Sequence, residues 1–526
     1  MRLVPIHATT LLAVCLPMVE TRGQAISGEP VRSLTYRVVD TGQTRCFGDR
    51  GQLLEPPRPG TPFFGQDAFY SGPQPSYRDN GDGTVSDLNT GLMWQKAFEA
   101  GRKHTLQEAR AAARSSRLGG HDDWRLPTIK ELYSLIDFNG NSRARPPVPY
   151  IDTRVFEFRF GDESAGERLI DAQYLSSTEY VGRTMRGNAT VFGVNFADGR
   201  IKGYPRDFGP RGPMRQFVRL VRGNPEYGKN RLVDNKDGTV SDLATGLMWA
   251  RADSGRGMNW RDALNYCETL TLAGHDDWRL PSAKELQSLV DYTRAPDARD
   301  AAHRGPAIDP VFRTTDPDAS FWSSTTHLEG PGPQGGAAAY VAFGRAMGYM
   351  TFPGGSREHL NVHGAGAQRS DPKNGDPQSP RWASGLGPQG DEIRILNFAR
   401  PVRSIDPTSI KLVRPDVTPI QVAENGPPGP DGPGPDAPEE MPRGTLRPGG
   451  PAGAPGIGNV IPPFVRGGLD LTAPQRRQIG ELEADVRERL EKILTPEQIQ
   501  RFRQLLRRGP GDAPGGPPDD DGPPGS

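Results

Sequence analysis

Cysteine is scarce, with three in 526 residues, and their positions exclude the thiol clusters that hold zinc or iron–sulfur centres. Once a leader containing Cys15 is set aside, Cys46 and Cys267 remain in different units, so no pairing can be read from their spacing. Net charge is missing as well. The 64 Lys and Arg are balanced by 64 Asp and Glu, which removes the overall basic balance expected of a nucleic-acid binder. Past the N-terminus no apolar stretch reaches the roughly 18 residues that a membrane helix needs. Ser176-Ser177 and Ser323-Ser324 sit in no G-x-S-x-G nucleophile elbow. These absences point away from nucleic-acid binding and membrane spanning, and they leave catalysis as the least supported class.

Glycine and proline are in excess, at 65 and 53 residues, against about 12% combined in an ordinary globular sequence, so part of the length cannot pack. Met1-Arg2-Leu3, an apolar stretch from Thr10 to Val19 and small residues up to Ala25 have the order of a secretory signal over residues 1–25. The expected location is secreted, periplasmic or cell-surface. Of the 45 residues from 424 to 468, 24 are Gly or Pro, which is a linker composition. Beyond it Ile479, Leu482, Val486, Leu490 and Ile493 fall on one helical face, so a short helical hairpin over 469–508 is expected, followed by a coreless tail, 509–526.

The body of the chain is written twice. Asp79 to Trp94 reads DNGDGTVSDLNTGLMW and Asp234 to Trp249 reads DNKDGTVSDLATGLMW; Gly119 to Leu132 reads GGHDDWRLPTIKEL and Ala273 to Leu286 reads AGHDDWRLPSAKEL. Leu175-Ser176-Ser177-Thr178 answers Trp322-Ser323-Ser324-Thr325, and Val194-Asn195-Phe196 with Gly203-Tyr204 answers Val341-Ala342-Phe343 with Gly348-Tyr349. Each copy closes on an Arg-bearing strand, Phe217 to Val221 or Pro401 to Ile405. A period of about 155 residues is domain duplication, since solenoid repeats run to about 20–50. The expected domains are 76–223 and 231–405, preceded by a lead-in over 26–75.

Local chemistry is legible within each copy. Asn80-Gly81-Asp82-Gly83 and Asn235-Lys236-Asp237-Gly238 read as turns entering strands, and helices are expected over Leu106 to Arg117 and Trp260 to Leu272. Thr128 with Glu131, and Ser282 with Glu285, fit the capping box. Pro127 and Pro281 stop the preceding strand. Together with Trp94, Trp124, Arg125, Trp249, Trp278 and Arg279, these residues form a folding signal: strand end, stop, helix start.

These ordered motifs make each copy resemble the Lcl C-terminal domain family, the terminal domain of a collagen-like bacterial adhesin, over roughly residues 36–405. The resemblance implies an α+β fold of two tandem domains similar to the C-type-lectin-like and formylglycine-enzyme-like folds, an exported protein, and attachment through sulfated glycans. Family members carry cysteines where this chain has Ala113 and Leu220, and Cys267 lacks its usual partner, so a stapled fold is not implied. Leu471-Thr472-Ala473-Pro474-Gln475 and Leu494-Thr495-Pro496-Glu497-Gln498 resemble the LTxxQ pattern of periplasmic stress chaperones; the simpler reading is Thr used twice as an N-cap.

Three patterns bear on chemistry. His121 and His275 beside paired aspartates read as solvated turns, and no catalytic residue is assigned. No cofactor is expected, with calcium as the alternative, because Asp79, Asp82, Asp87, Asp234, Asp237 and Asp242 supply hard oxygens although their spacing does not fit an EF-hand. The charge balance breaks once: between Arg200 and Arg231 nine basic residues face only Asp207 and Glu226. Arg200, Lys202, Arg206, Arg211, Arg215, Arg219 and Arg222 are therefore the candidate ligand residues, suited to sulfate or carboxylate oxygens. The expected function is non-enzymatic adhesion or extracellular binding with an acidic or sulfated polysaccharide as partner, the two copies adding avidity. The competing reading is an envelope structural or stress protein that binds through its C-terminal helices.

Overall fold

The computed structural model describes residues 34–418, apart from 207–211, 353, 354, 388, 407 and 408, together with isolated positions between 475 and 498. The expected signal (1–25), linker (424–468), tail (509–526), Arg211 and most of the hairpin lie outside the described residues. Of the hairpin, Thr495 and Gln498 form the reciprocal cap expected of a helix start, with Gln498 N donating to Thr495 Oγ1 at 3.3 Å and Thr495 N donating to Gln498 Oε1 at 2.9 Å.

The first copy follows Tyr70–Ser71 (β1) and runs Tyr77–Asp79 (β2), Thr84–Asp87 (β3), Leu92–Gln95 (β4), Leu106–Ser115 (α1), Ile129–Ser134 (α2), Gln173–Glu179 (β5), Thr190–Asn195 (β6), Arg200–Pro205 (β7) and Val221–Gly223 (β8). The second runs Leu232–Asp234 (β9), Thr239–Asp242 (β10), Leu247–Ala250 (β11), Trp260–Glu268 (α3), Ala283–Ser288 (α4), Ser320–His327 (β12), Ala337–Ala342 (β13), Met347–Thr351 (β14), Arg357–Asn361 (β15), Gln368–Pro372 (β16) and Val402–Ser404 (β17), with Lys411–Leu412 (β18) pairing back on β1. Strand outweighs helix in this α+β arrangement. Both long helices end short of the expected bounds, at Ser115 and Glu268.

The duplicated motifs build duplicated parts. Asp82 Oδ1 accepts from Thr84 N at 3.0 Å and Oγ1 at 2.6 Å, and Asp237 does the same for Thr239 at 3.0 and 2.6 Å, so each turn is fixed by an aspartate side chain. Gly81 takes φ +78°, and its counterpart Lys236 is held at +64°, a conformation that costs a residue with Cβ about 1–2 kcal/mol. Both capping boxes form at Thr128 and Ser282. Their glutamates also take the preceding arginine side-on, Arg125 to Glu131 at 2.6 and 2.7 Å and Arg279 to Glu285 at 2.6 and 2.6 Å. Pro127 O and Pro281 O each accept a backbone N–H from the serine pair, Ser177 and Ser324. Trp94 and Trp249 are fully buried, and the indoles of Trp124 and Trp278 donate to Leu118 O and Leu272 O.

Each copy has a four-stranded antiparallel sheet, ordered β2-β3-β4-β8 and β9-β10-β11-β17. The third sheet spans both copies in the order β12-β13-β16-β7-β6-β5. At its centre Ile201 of β7 pairs with Gln368 of β16. The matched residues Val194 and Val341 pair with Ile201 and Gln368 respectively, so two equivalent residues face each other across a local two-fold axis. The helices obey the same axis: Lys130 Nζ donates to Ser288 O at 2.7 Å, and Lys284 Nζ to Ser134 O at 2.9 Å.

The two tandem domains are joined: a shared sheet and a hydrophobic core containing Trp94, Phe192, Trp249 and Phe321 run through both. Two expectations are corrected here. Gly348-Tyr349 does not occupy the sheet position of Gly203-Tyr204. It lies in a β14–β15 hairpin inserted before β16, and β16 takes the place beside β13. The closing strands are offset by three residues from the expected pairing: Phe398 matches Phe217 in bridging back to the first strand of its sheet, so Arg400 is the counterpart of Arg219. Cys46 and Cys267 are free and buried in separate clusters, and burial pushes the Cys46 thiol up to about 12.

Candidate functional site

Each copy opens a cleft beside the start of its β5-type strand. The first, of about 740 Å³, is lined by β7, the loops around 102, 159–173 and 214, and three residues of the second copy, Met350, His363 and Gln389. Six cations meet there, Arg102, Lys103, Arg159, Arg168, Lys202 and Arg215, against Asp162, Glu167 and Asp171. Lys103 pairs with Glu167 at 2.5 Å, Arg168 with Asp171 at 2.7 Å, and Arg215 with Glu108 at 2.8 Å. Arg159 is exposed, pairs with no described carboxylate, and lies over the rings of Phe98 and Phe217 at 5.5 and 5.3 Å. Its guanidinium is thus held in place by aromatic faces while its donors stay available.

The floor of this cleft is polar. Lys202 Nζ reaches Asp198 at 3.0 Å and Arg200 reaches the same carboxylate at 3.2 Å. Burial alone would raise Asp198, but Lys202 and Arg200 outweigh it and hold the carboxyl down at about 2. Tyr204 is 8% exposed, and its hydroxyl has no hydrogen-bond partner among the described residues. Burial lifts that phenol well above its usual range, so it is a neutral donor at any physiological pH. Burial likewise lowers His363, whose Nε2 lies 2.9 Å from Asp391.

The equivalent cleft of the second copy, about 550 Å³, has the opposite sign. Gln173, Asp171 and Phe217 correspond to Ser320, Asp318 and Phe398, which line it. There Asp316, Asp318 and Glu392 face Arg394 beside Tyr349 and Trp382, and Leu396 stands where the first copy has Arg215. The two copies therefore do not present the same site twice.

Of the seven basic residues singled out in the sequence, the structure brings Lys202 and Arg215 into the first cleft. Arg200 and Arg219 are fully buried, which corrects their reading as ligand residues. Arg200 donates to Glu329 O at 2.9 Å, and Arg219 to the carbonyls of Gln95, Lys96 and Glu157. Arg206 bridges Glu179 outside the cleft and Arg222 bridges Asp123 on the β8 edge. Sequence reasoning missed Arg102, Lys103, Arg159, Arg168 and Tyr204, which are spread over about a hundred residues and form no local cluster. The available signal was the difference between copies, as in Arg215 against Leu396. The six turn aspartates are also spoken for: Asp87 and Asp242 accept from neighbouring backbone amides, and Asp79 and Asp234 pair with Lys96 and Lys236. Among the described residues, no group of three or more His, Cys, Asp or Glu is placed to hold a metal ion.

Fold and clefts together define a duplicated, strand-rich module with one charged cleft on each copy. The Lcl C-terminal domain matches residues 83–222 and 238–360, half of the chain, and the chain belongs to that family. No curated protein and no solved structure matches it. The family match ends at 360 and lends no support to the chaperone resemblance of residues 471–498. Among the described residues, no helix is long and apolar enough to cross a membrane.

Proposed function

We propose that this is an exported, non-enzymatic, lectin-like binding protein of the adhesion type, which takes an acidic or sulfated polysaccharide in the first cleft. The observation that carries the reading is the convergence of six Arg and Lys from separate segments on one cleft. Planar guanidinium groups match sulfate and carboxylate oxygens. Family membership supports the same reading. The test is binding of the full chain to immobilised sulfated and unsulfated polysaccharides over a salt series, beside a variant carrying Arg102→Ser, Arg159→Ser and Arg215→Ser. Binding to the sulfated polymer that weakens with salt and falls about tenfold or more in the variant is expected, the loss of roughly one or two charge-assisted hydrogen bonds. Equal binding by the variant would remove the cleft from the reading. No binding to either polymer would favour the envelope structural protein acting through its C-terminal helices.

A further inference from the structure

The local two-fold axis relates two grooves, of which one is filled by the chain itself. In the filled groove the lead-in crosses from one copy to the other. Asp40 O accepts from Lys284 Nζ at 2.8 Å, Thr41 O accepts from Phe138 N at 2.8 Å, and Gly42 O accepts from Asn139. Gln43 exchanges two hydrogen bonds with the backbone of Thr326, at 2.8 and 2.7 Å. Asp67 then accepts from Thr325 Oγ1, and the Tyr70 ring lies 5.2 Å from the Arg279 guanidinium. Under this cover Arg279 is 5% exposed and Thr325 is fully buried.

The related groove is open, at about 650 Å³. Five wall residues have their counterparts: Arg125 for Arg279, Lys130 for Lys284, Thr178 for Thr325, Tyr292 for Phe138 and Thr293 for Asn139. The segment between the copies supplies only the first of the lead-in's contacts, Gly228 O accepting from Lys130 Nζ at 3.0 Å. Among the described residues no carboxylate meets Thr178 as Asp67 meets Thr325, and no ring covers Arg125, which is 36% exposed against the 5% of its twin. A wall built to the same plan, with the same capping box behind it, has lost its cover on one side of the axis only.

We infer that the open groove bounded by Arg125, Thr178, Tyr292 and Thr293 docks a peptide of the lead-in's chemistry from a partner protein: backbone carbonyls for the 292–293 edge and, on a following 3-10 turn, an aspartate for Thr178 and a tyrosine three residues later over Arg125. The occupant is argued from the filled twin, where Asp67 and Tyr70 stand at that spacing. Recognition rests on hydrogen bonds to peptide carbonyls, from side chains and from one backbone amide in the twin, with two side-chain anchors setting the register. The groove lies apart from the charged clefts, so peptide docking and polysaccharide binding are separable activities.

The test is a titration of the full chain with a labelled synthetic peptide of residues 36–72 carrying Cys46→Ser, followed by fluorescence anisotropy. Saturable one-to-one binding is expected, weakened about tenfold by Asp67→Ala in the peptide, as loss of one hydrogen bond to a charged group implies. Thr293→Trp in the protein, on an exposed rim position, plugs the open groove alone and should abolish binding without moving the melting temperature. Binding that survives the plug would mean exchange into the filled groove and would overturn the inference, as would no binding at all. A full chain that is dimeric, and monomeric with Thr293→Trp, would show that a second copy fills the groove and would overturn it too.

Discussion

Arg219 and Arg215 stand four residues apart in one basic stretch and have opposite fates. Arg219 points inward and donates to the Gln95, Lys96 and Glu157 carbonyls, and its counterpart Arg400 does the same for Ala250, Arg251 and Arg313. Arg215 points out and meets Glu108 with half its side chain in water. Arg219→Leu is therefore expected to cost about 3 kcal/mol in urea denaturation, since it strands buried acceptors. Arg215→Ser should cost less than about 1 kcal/mol while weakening polysaccharide binding. Comparable losses from both would refute the assignment of one as structural and the other as ligand-facing. A stretch of alternating basic residues does not say which of them the backbone needs, and this is why only two of the six described reached the cleft.

At the level of elements, the two short helices carry the most legible signal and the least expected contact. Thr128, Glu131, Ser282 and Glu285 announce their caps in sequence, because a capping box is closed within four residues. Lys130 and Lys284, inside the same motif, give no such notice, yet each crosses to the other copy's helix end. Burial draws both ammonium groups down to about 8, against the pull of Asp242 and Asp291 on Lys130 and of Asp40 on Lys284. The folded value lies below the ordinary 10.5, so the cost of burying the charge is fully present below pH 8 and fades as pH rises towards 10.5. Stability should accordingly climb between pH 8 and 10.5, and Lys130→Met with Lys284→Met should flatten that climb. A slope unchanged in the double variant would place the titration elsewhere. The β14–β15 hairpin was illegible for a different reason: Gly348-Tyr349 preserves the motif while an insertion moves the sheet position to Gln368–Pro372.

On the scale of the whole molecule, duplication has produced one body instead of two. The Ile201–Gln368 pairing, the crossed lysines and the lead-in each tie the copies together, and a core shared by both resists separation, since each buried Leu or Phe contributes about 2 kcal/mol. Residues 34–418 should give a single heat-absorption peak whose calorimetric and van't Hoff enthalpies agree. Two resolved peaks would mean that the copies fold independently. With one body, the equivalent sites were free to diverge, and they did: the first cleft is basic, its twin acidic and aromatic, and one groove is filled while its twin is open.

The sequence by itself determined the duplication, the turns, the helix starts and the family, because each of these is decided by residues a few positions apart or by the repetition itself. Only the tertiary structure decided which arginines are buried, how the copies share a sheet, and which charges converge. Those outcomes depend on residues such as Arg102, Arg159, Lys202 and His363 meeting across long stretches of chain. Electrostatic and packing energies act through space, and spacing along the chain carries no record of them until the backbone has closed.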